Sequence, residues 1–266
     1  MISIKHPIAD FTLYFDEAKH QYLIDIEKSQ EYWQKVPSVT QFVGHYTPTF
    51  DADKIAAITA KKQGKTADAV KAEWEAKKNA ACEMGTRVHA NQEKHLKGLT
   101  NYEQPQDDRE RQIMAYGWKA IEDMLSAGFK PIDAEKMVFS LSFKLAGTID
   151  ALMQKGRVIY IIDWKTNGEI KAHNEYHQFM LPPAESLEDC ALNHYSLQLN
   201  LYERILKRDF YIPQIQEVKK MLVHLQPTQY KIIPIDDNPI ADKLLLDYLA
   251  CDWYDINNTM PKELQI

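Results

Sequence analysis

Cysteine is scarce in this 266-residue chain: Cys82, Cys190 and Cys251 are its only three, and they lie far apart. So few, so scattered, they speak against a disulfide-stapled scaffold, a structural zinc site and a four-cysteine iron–sulfur cluster, and they fit a reducing, cytoplasmic compartment. Long apolar runs are also missing. The longest, Val158 to Ile162, and others such as Met221 to Val223 fall far short of the ~20 residues that span a bilayer, so no membrane is expected. The N-terminus has Lys5 and His6 but no small-residue cleavage site behind an apolar stretch, so no signal peptide is expected. Positive charge is not in excess either. The net charge is −6, so any nucleic-acid partner must be held by a local basic face. No Gly-x-x-x-x-Gly-Lys-[Ser/Thr] loop occurs, which leaves out a helicase motor. What remains is an ordinary globular composition, 45% hydrophobic and 26% charged. A chain of this length buries roughly 70–75% of its unfolded surface.

Phe11 to Ile26 alternates around Asp16-Glu17 as a β-hairpin does. Ser38 and Gln41 have the spacing of a capping box. Ile55 to Leu96 reads as helical, broken near Gln63-Gly64, with Val70, Trp74, Lys77, Ala81, Gly85, Val88 and Gln92 along one stripe. A second helix runs from Asp108 to about Ala127, with Ile113, Trp118, Ile121 and Leu125 inward and Gly128 as its stop. The period then becomes that of strands over Ala134 to Ser140, Lys144 to Gln154 and Arg157 to Trp164, the last two joined at Lys155-Gly156. A polar loop from Gly168 to Ser186 precedes a helix over Leu187 to Lys207. Strands at Val218 to Gln226 and Tyr230 to Ile235 and a closing helix at Ile240 to Tyr254 complete the order. It predicts one α/β domain over residues 37–266, a central mixed sheet flanked by helices, with residues 1–36 as an N-terminal β-hairpin extension.

The chemistry concentrates in Gly147-Thr148-Ile149-Asp150 and Ile161-Ile162-Asp163-Trp164-Lys165-Thr166. Asp163 and Lys165 share a strand face, while Trp164 points to the opposite layer. The hairpin brings Asp150 within about two residues of being opposite Asp163. Two carboxylates and an ammonium thus converge, which suits Mg²⁺ or Mn²⁺ and lets a lysine orient an attacking water. The plain alternative is a cross-strand ion pair between Asp150 and Lys165. Upstream, Gly85 and His89 are four apart on one helical face, as are Gln198 and Tyr202. An imidazole beside a glycine can ligate a metal; a packing glycine and a core histidine are the bland counterpart.

In this order, Gly-x-x-x-His, Gly-Thr-Ile-Asp, Asp-Trp-Lys-Thr and Gln-x-x-x-Tyr resemble the RecB-type branch of the PD-(D/E)XK nucleases, in particular mitochondrial genome maintenance exonucleases and their phage and bacterial relatives. Pro37-Ser38-Val39-Thr40 adds to the likeness, which runs from about Pro37 to Tyr202. The resemblance implies a restriction-endonuclease-like core and a metal-dependent DNA exonuclease acting in replication, recombination or repair. It implies His89, Asp150, Asp163 and the Trp164 carbonyl as metal ligands, Lys165 as the catalytic lysine and Glu135 as a further acid. Gln198 and Tyr202 would support the site and the DNA. Ser38, at a helix N-terminus, and Arg87, with its bidentate fork, are candidates for holding phosphate. With three dispersed cysteines, no iron–sulfur cluster is expected.

A basic face is expected between Lys54 and Lys78, where seven lysines surround Trp74, a residue able to stack on a base. His173 and His177 mimic a zinc motif, but in a stretch without a helical pattern. The rival readings are a non-catalytic DNA-binding or assembly subunit on a nuclease fold, and a structure-specific endonuclease. A separate recombination or single-strand-binding protein is an expected partner.

Overall fold

The computed structural model describes residues 2–16, 19, 21–25 and 33–250. The hairpin's Glu17 and Ile26, Cys251 and the expected helix end at Tyr254 lie outside the described residues.

The N-terminal hairpin is the centre of a four-stranded antiparallel sheet: β1 (Ile2–Lys5), β2 (Thr12–Asp16), β3 (Gln21–Asp25) and β4 (Trp33–Val36), in that order. The two outer strands have four residues each, too short for alternation to announce them. The sheet does not stand apart from the rest. Leu13, Tyr22, Ile24 and Val36 form one buried cluster with Met137, Phe139 and Ala146.

Helix α1 (Val39–His45) starts at Ser38, whose side chain accepts from the Gln41 N–H while Gln41 reaches back to the Ser38 N–H, the expected capping box. Helix α2 (Ala52–Gln63) ends at Gly64, which takes φ +67°, a left-handed turn that glycine adopts without steric cost. Helix α3 (Ala67–Leu96) then turns back and packs on α2 through Ala56, Ala60, Val70 and Trp74. The expected stripe along α3 is only half correct. Residues 75–83 are exposed all round, Lys77 and Ala81 among them, before the helix rejoins the body at Met84. Periodicity shows which side of a helix is apolar, not whether a partner lies against it.

Helix α4 (Asp108–Ser126) packs on α3 and buries Ile113 and Ile121, while Trp118 and Leu125 are half-buried. The main sheet follows: β5 (Lys130–Ser140), β6 (Leu145–Lys155), β7 (Val158–Lys165), β8 (Val218–Gln226) and β9 (Gln229–Ile235), in that order. All pairs are antiparallel except β7 with β8. A parallel pair needs a long crossover, which helix α5 (Ala191–Arg208) supplies. The sheet is therefore mixed, as expected. Helices α3 and α4 cover one face, over Ala151, Met153, Ile162 and Trp164. Helices α1, α5 and α6 (Ile240–Ala250) cover the other, over Val138, Leu145, Ile149, Leu152 and Ile161. The Gly168 to Ser186 loop is anchored on this second face by buried Met180 and Ala184. No helix among the described residues is long and apolar enough to cross a membrane.

Candidate active site

Strand register lines up three carboxylates. Pairs Ala134↔Ala151 and Lys136↔Ile149 set Glu135 opposite Asp150. The pair Ala151↔Ile162 sets Asp150 opposite Asp163, inside the margin of about two residues that the spacing gives. One row of acids thus crosses β5, β6 and β7. Glu135 holds its place with φ +50°, a left-handed conformation that costs a non-glycine residue on the order of 1–3 kcal/mol. Gly147 has a different reason to be glycine. A Cβ there would lie 2.6 Å from the Tyr202 ring, so the missing side chain lets α5 settle onto β6 beside Asp150.

Helix α3 brings the imidazole. One ligand atom each from His89, Glu135 and Asp150 lies within 4.8 Å of the others. His89 Nδ1 is 3.4 Å from Asp150 Oδ2, and the Trp164 N–H donates to that same oxygen at 2.8 Å. Asp163 is 3% exposed, with Gln198 Nε2 donating to its Oδ1 at 3.3 Å and Lys165 Nζ 2.7 Å from its Oδ2. The ion pair of Lys165 is therefore with its strand neighbour Asp163 rather than across the hairpin to Asp150. Trp164 itself is buried among the α3/α4 residues, on the opposite layer as expected.

Crowded carboxylates distort one another's acidity. Burial, reinforced by Asp150, raises Glu135 to about 8. Burial also raises Asp163 to about 6, against the pull of Lys165. Asp150 goes the other way: burial opposes its charge, but His89, Lys165 and the Trp164 N–H outweigh it and hold it low. Burial alone would depress His89, yet Asp150, Glu135 and Asp163 lift it to about 9. Lys165 is likewise raised, because Asp163 and Asp150 overcome the cost of burying it. Protons and a divalent cation would therefore compete for the same imidazole and carboxylate atoms. One imidazole with carboxylates at these spacings could hold a divalent metal ion.

Not every expected residue joins this cluster. Gln198 and Tyr202 do, one turn apart on α5, with Gln198 Nε2 3.5 Å from the Tyr202 hydroxyl. Ser38 spends its hydroxyl on the α1 cap. Arg87 donates from Nε and Nη2 to both oxygens of Glu110, at 2.7 and 3.0 Å, so its fork is engaged inside the fold. Trp74 packs between α2 and α3, 15 residues before His89 and therefore about 22 Å along the helix axis from it. Among the nearby lysines, Lys65 pairs with Glu73, Lys71 with Asp53 and Asp68, and Lys78 with Glu75. His173 is 3.3 Å from Glu188, an ordinary surface pair. Two residues that the sequence reading passed over belong to the site's walls. Tyr22 reaches in from the N-terminal sheet and shares a 2.8 Å hydrogen bond with Thr148. Tyr195 lies under Lys165 and donates from its hydroxyl to Asn167 Oδ1 at 3.2 Å. Its position three before Gln198 and seven before Tyr202, one helical stripe, was the available signal.

No curated protein matches this chain. The crystal structure of SSO0001 is similar over 64% of this chain and 86% of that one, at 15% identity and a TM-score of 0.25, too loose to carry an argument. The family model of the PD-(D/E)XK nuclease superfamily matches residues 60–244, a span that takes in α3 with His89, the three acid-bearing strands and α5. With that match over the same residues that build the acidic row, the chain belongs to the PD-(D/E)XK nuclease superfamily.

Proposed function

We propose that this nuclease is a Mg²⁺- or Mn²⁺-dependent deoxyribonuclease of the RecB type that degrades DNA from an end, in replication, recombination or repair. The observation that carries the reading is the convergence of His89, Glu135 and Asp150 with the Asp163–Lys165 pair. His89, Glu135, Asp150, Asp163 and the Trp164 carbonyl would hold the ion. A divalent cation there would polarise a phosphodiester oxygen and lower the pKa of a bound water. The chain's own residues supply the rest. Lys165, kept protonated by its two acids, serves as a hydrogen-bond donor to a water or phosphoryl oxygen, not as a base. Gln198 fixes one Asp163 oxygen and the Trp164 N–H fixes one of Asp150, so the carboxylates present their remaining lone pairs to the site.

The test is a panel of circular and linear DNA, labelled at the 5′ or the 3′ end, with Mg²⁺ or Mn²⁺. Loss of linear substrate with circles intact supports end-dependent cleavage. Nicked circles make it an endonuclease, and no cleavage by wild type on any substrate favours the binding-subunit reading.

A further inference from the structure

Two sheet edges face each other beside the acidic row. Strands β1 and β5 are each the outer strand of their sheets. Between them runs a crevice of about 340 Å³, walled by Ile2, Ile4 and Lys5 on one side and by β5 from Asp133 to Met137 on the other, with Lys97 and Tyr211 at its ends. Glu135 lines this crevice and also belongs to the metal-competent cluster, so the two spaces share a wall.

The crevice sets three lysines, Lys5, Lys97 and Lys136, against two carboxylates, Asp133 and Glu135. Asp133 is satisfied internally: its Oδ1 accepts from the Ala134 N–H and its Oδ2 from Lys136. Lys97 pairs with Glu93 on a solvent-facing surface, and Lys5 has no carboxylate partner among the described residues. Of the three ammonium groups, Lys136 and Lys97 are held in place by Asp133 and Glu93, Lys5 is the one with no carboxylate partner among the described residues, and Glu135 faces the acidic row. A peptide strand could not add to β5 here. The edge is broken by Pro131, by a register shift between Pro131 and Asp133 and by the left-handed backbone of Glu135, and the Tyr211 hydroxyl already takes the Phe139 N–H at 3.1 Å. Flexible lysines around an irregular slot suit a polyanion that needs no ladder.

We propose that this crevice is a nucleic-acid backbone subsite: it holds the strand flanking the scissile phosphate, with Lys5, Lys97 and Lys136 contacting successive phosphates. The proposal rests on the nuclease reading above and extends it from the reacting phosphate to its neighbours.

The test separates grip from cleavage by measuring binding of a labelled single-stranded oligonucleotide to the full chain in EDTA, across a salt series. The triple variant Lys5→Gln, Lys97→Gln, Lys136→Gln should flatten the slope of log affinity against log salt by about two units, at about 0.7 per phosphate contact. Lys5→Gln alone, which breaks no ion pair among the described residues, should flatten it by about 0.7. Lys243→Gln on α6, on the far face of the sheet, is the control and should leave the slope unchanged. A triple variant with the wild-type slope overturns the subsite, as does wild-type protein that binds no strand. If the slopes change as expected while wild type cleaves nothing, the subsite stands and the catalytic reading falls.

Discussion

The ammonium of Lys165 lies 4.2 Å from the centroid of the Tyr195 ring, with its other side on Asp163. A long flexible side chain is thereby held between an aromatic face and a carboxylate. A cation–π contact of this kind is worth about 0.5–2 kcal/mol. Tyr195→Phe keeps the ring, and kcat should stay within about twofold, because only the Asn167 hydrogen bond is lost. Tyr195→Leu should lower kcat by about 2- to 30-fold with KM little changed, the cation–π range converted to rate. Equal rates for Leu and Phe in steady-state assays would show that the ring does not position Lys165.

Removing the acid beside Lys165 should separate activity from folding. Asp163→Asn keeps the volume and a partner for Gln198, and removes one negative charge from the row. Cleavage should fall by more than about tenfold, over 1.4 kcal/mol of transition-state stabilisation, while the thermal midpoint moves little. Retained activity with a lowered midpoint would make the pair structural.

Metal binding should release protons. At neutral pH the apo cluster holds them on His89 and Glu135, raised to about 9 and about 8. A cation must displace both, so Mn²⁺ affinity should weaken as pH falls below about 8, by up to about a hundredfold per pH unit for two protons. Titration calorimetry in two buffers of different ionisation enthalpy counts the protons, and His89→Gln should release one fewer.

Glu135 gives a stability prediction of definite sign. Its folded pKa of about 8 lies above its ordinary value, so its protonated form favours the fold. That contribution is complete below about pH 4.5 and is lost as pH rises through about 8. In EDTA, Glu135→Gln, which mimics the protonated state, should therefore raise the melting temperature most above pH 8, while weakening metal affinity. A melting temperature that falls instead would mean that the carboxylate is already compensated within the fold.

Gly85 separates two roles. A Cβ there would meet Thr166 Oγ1 at an ordinary 3.7 Å, so the fold does not require glycine at this position. Gly85→Ala should stabilise α3 by about 1 kcal/mol in thermal unfolding. If a substrate backbone needs the space, KM for DNA should rise at the same time; an unchanged KM would assign the glycine no role in substrate approach.

What was legible in the sequence obeys local rules. The Ser38–Gln41 capping box, the break at Gly64 and the Lys155-Gly156 turn depend on a few adjacent residues, and the β7 acids on a period of two. The pairing of Arg87 is not legible for the opposite reason: its partner Glu110 is 23 residues away, on another helix. Nothing local announces that Glu135 takes a left-handed backbone, and that conformation helps seat it opposite Asp150. The exposed middle of α3 was equally invisible, since whether a helix has a neighbour depends on the path of the whole chain.

That bare middle has a mechanical meaning. Helix α3 is 30 residues, about 45 Å, long, and no glycine or proline interrupts it from Ala67 to Met84. One end is braced by α2, and the other carries His89 against the sheet. Such a rod works as a lever with its pivot at the body. Any change of its direction at Gly85, its only residue without a side chain, would swing the α2 end far more than it would shift the imidazole four residues on.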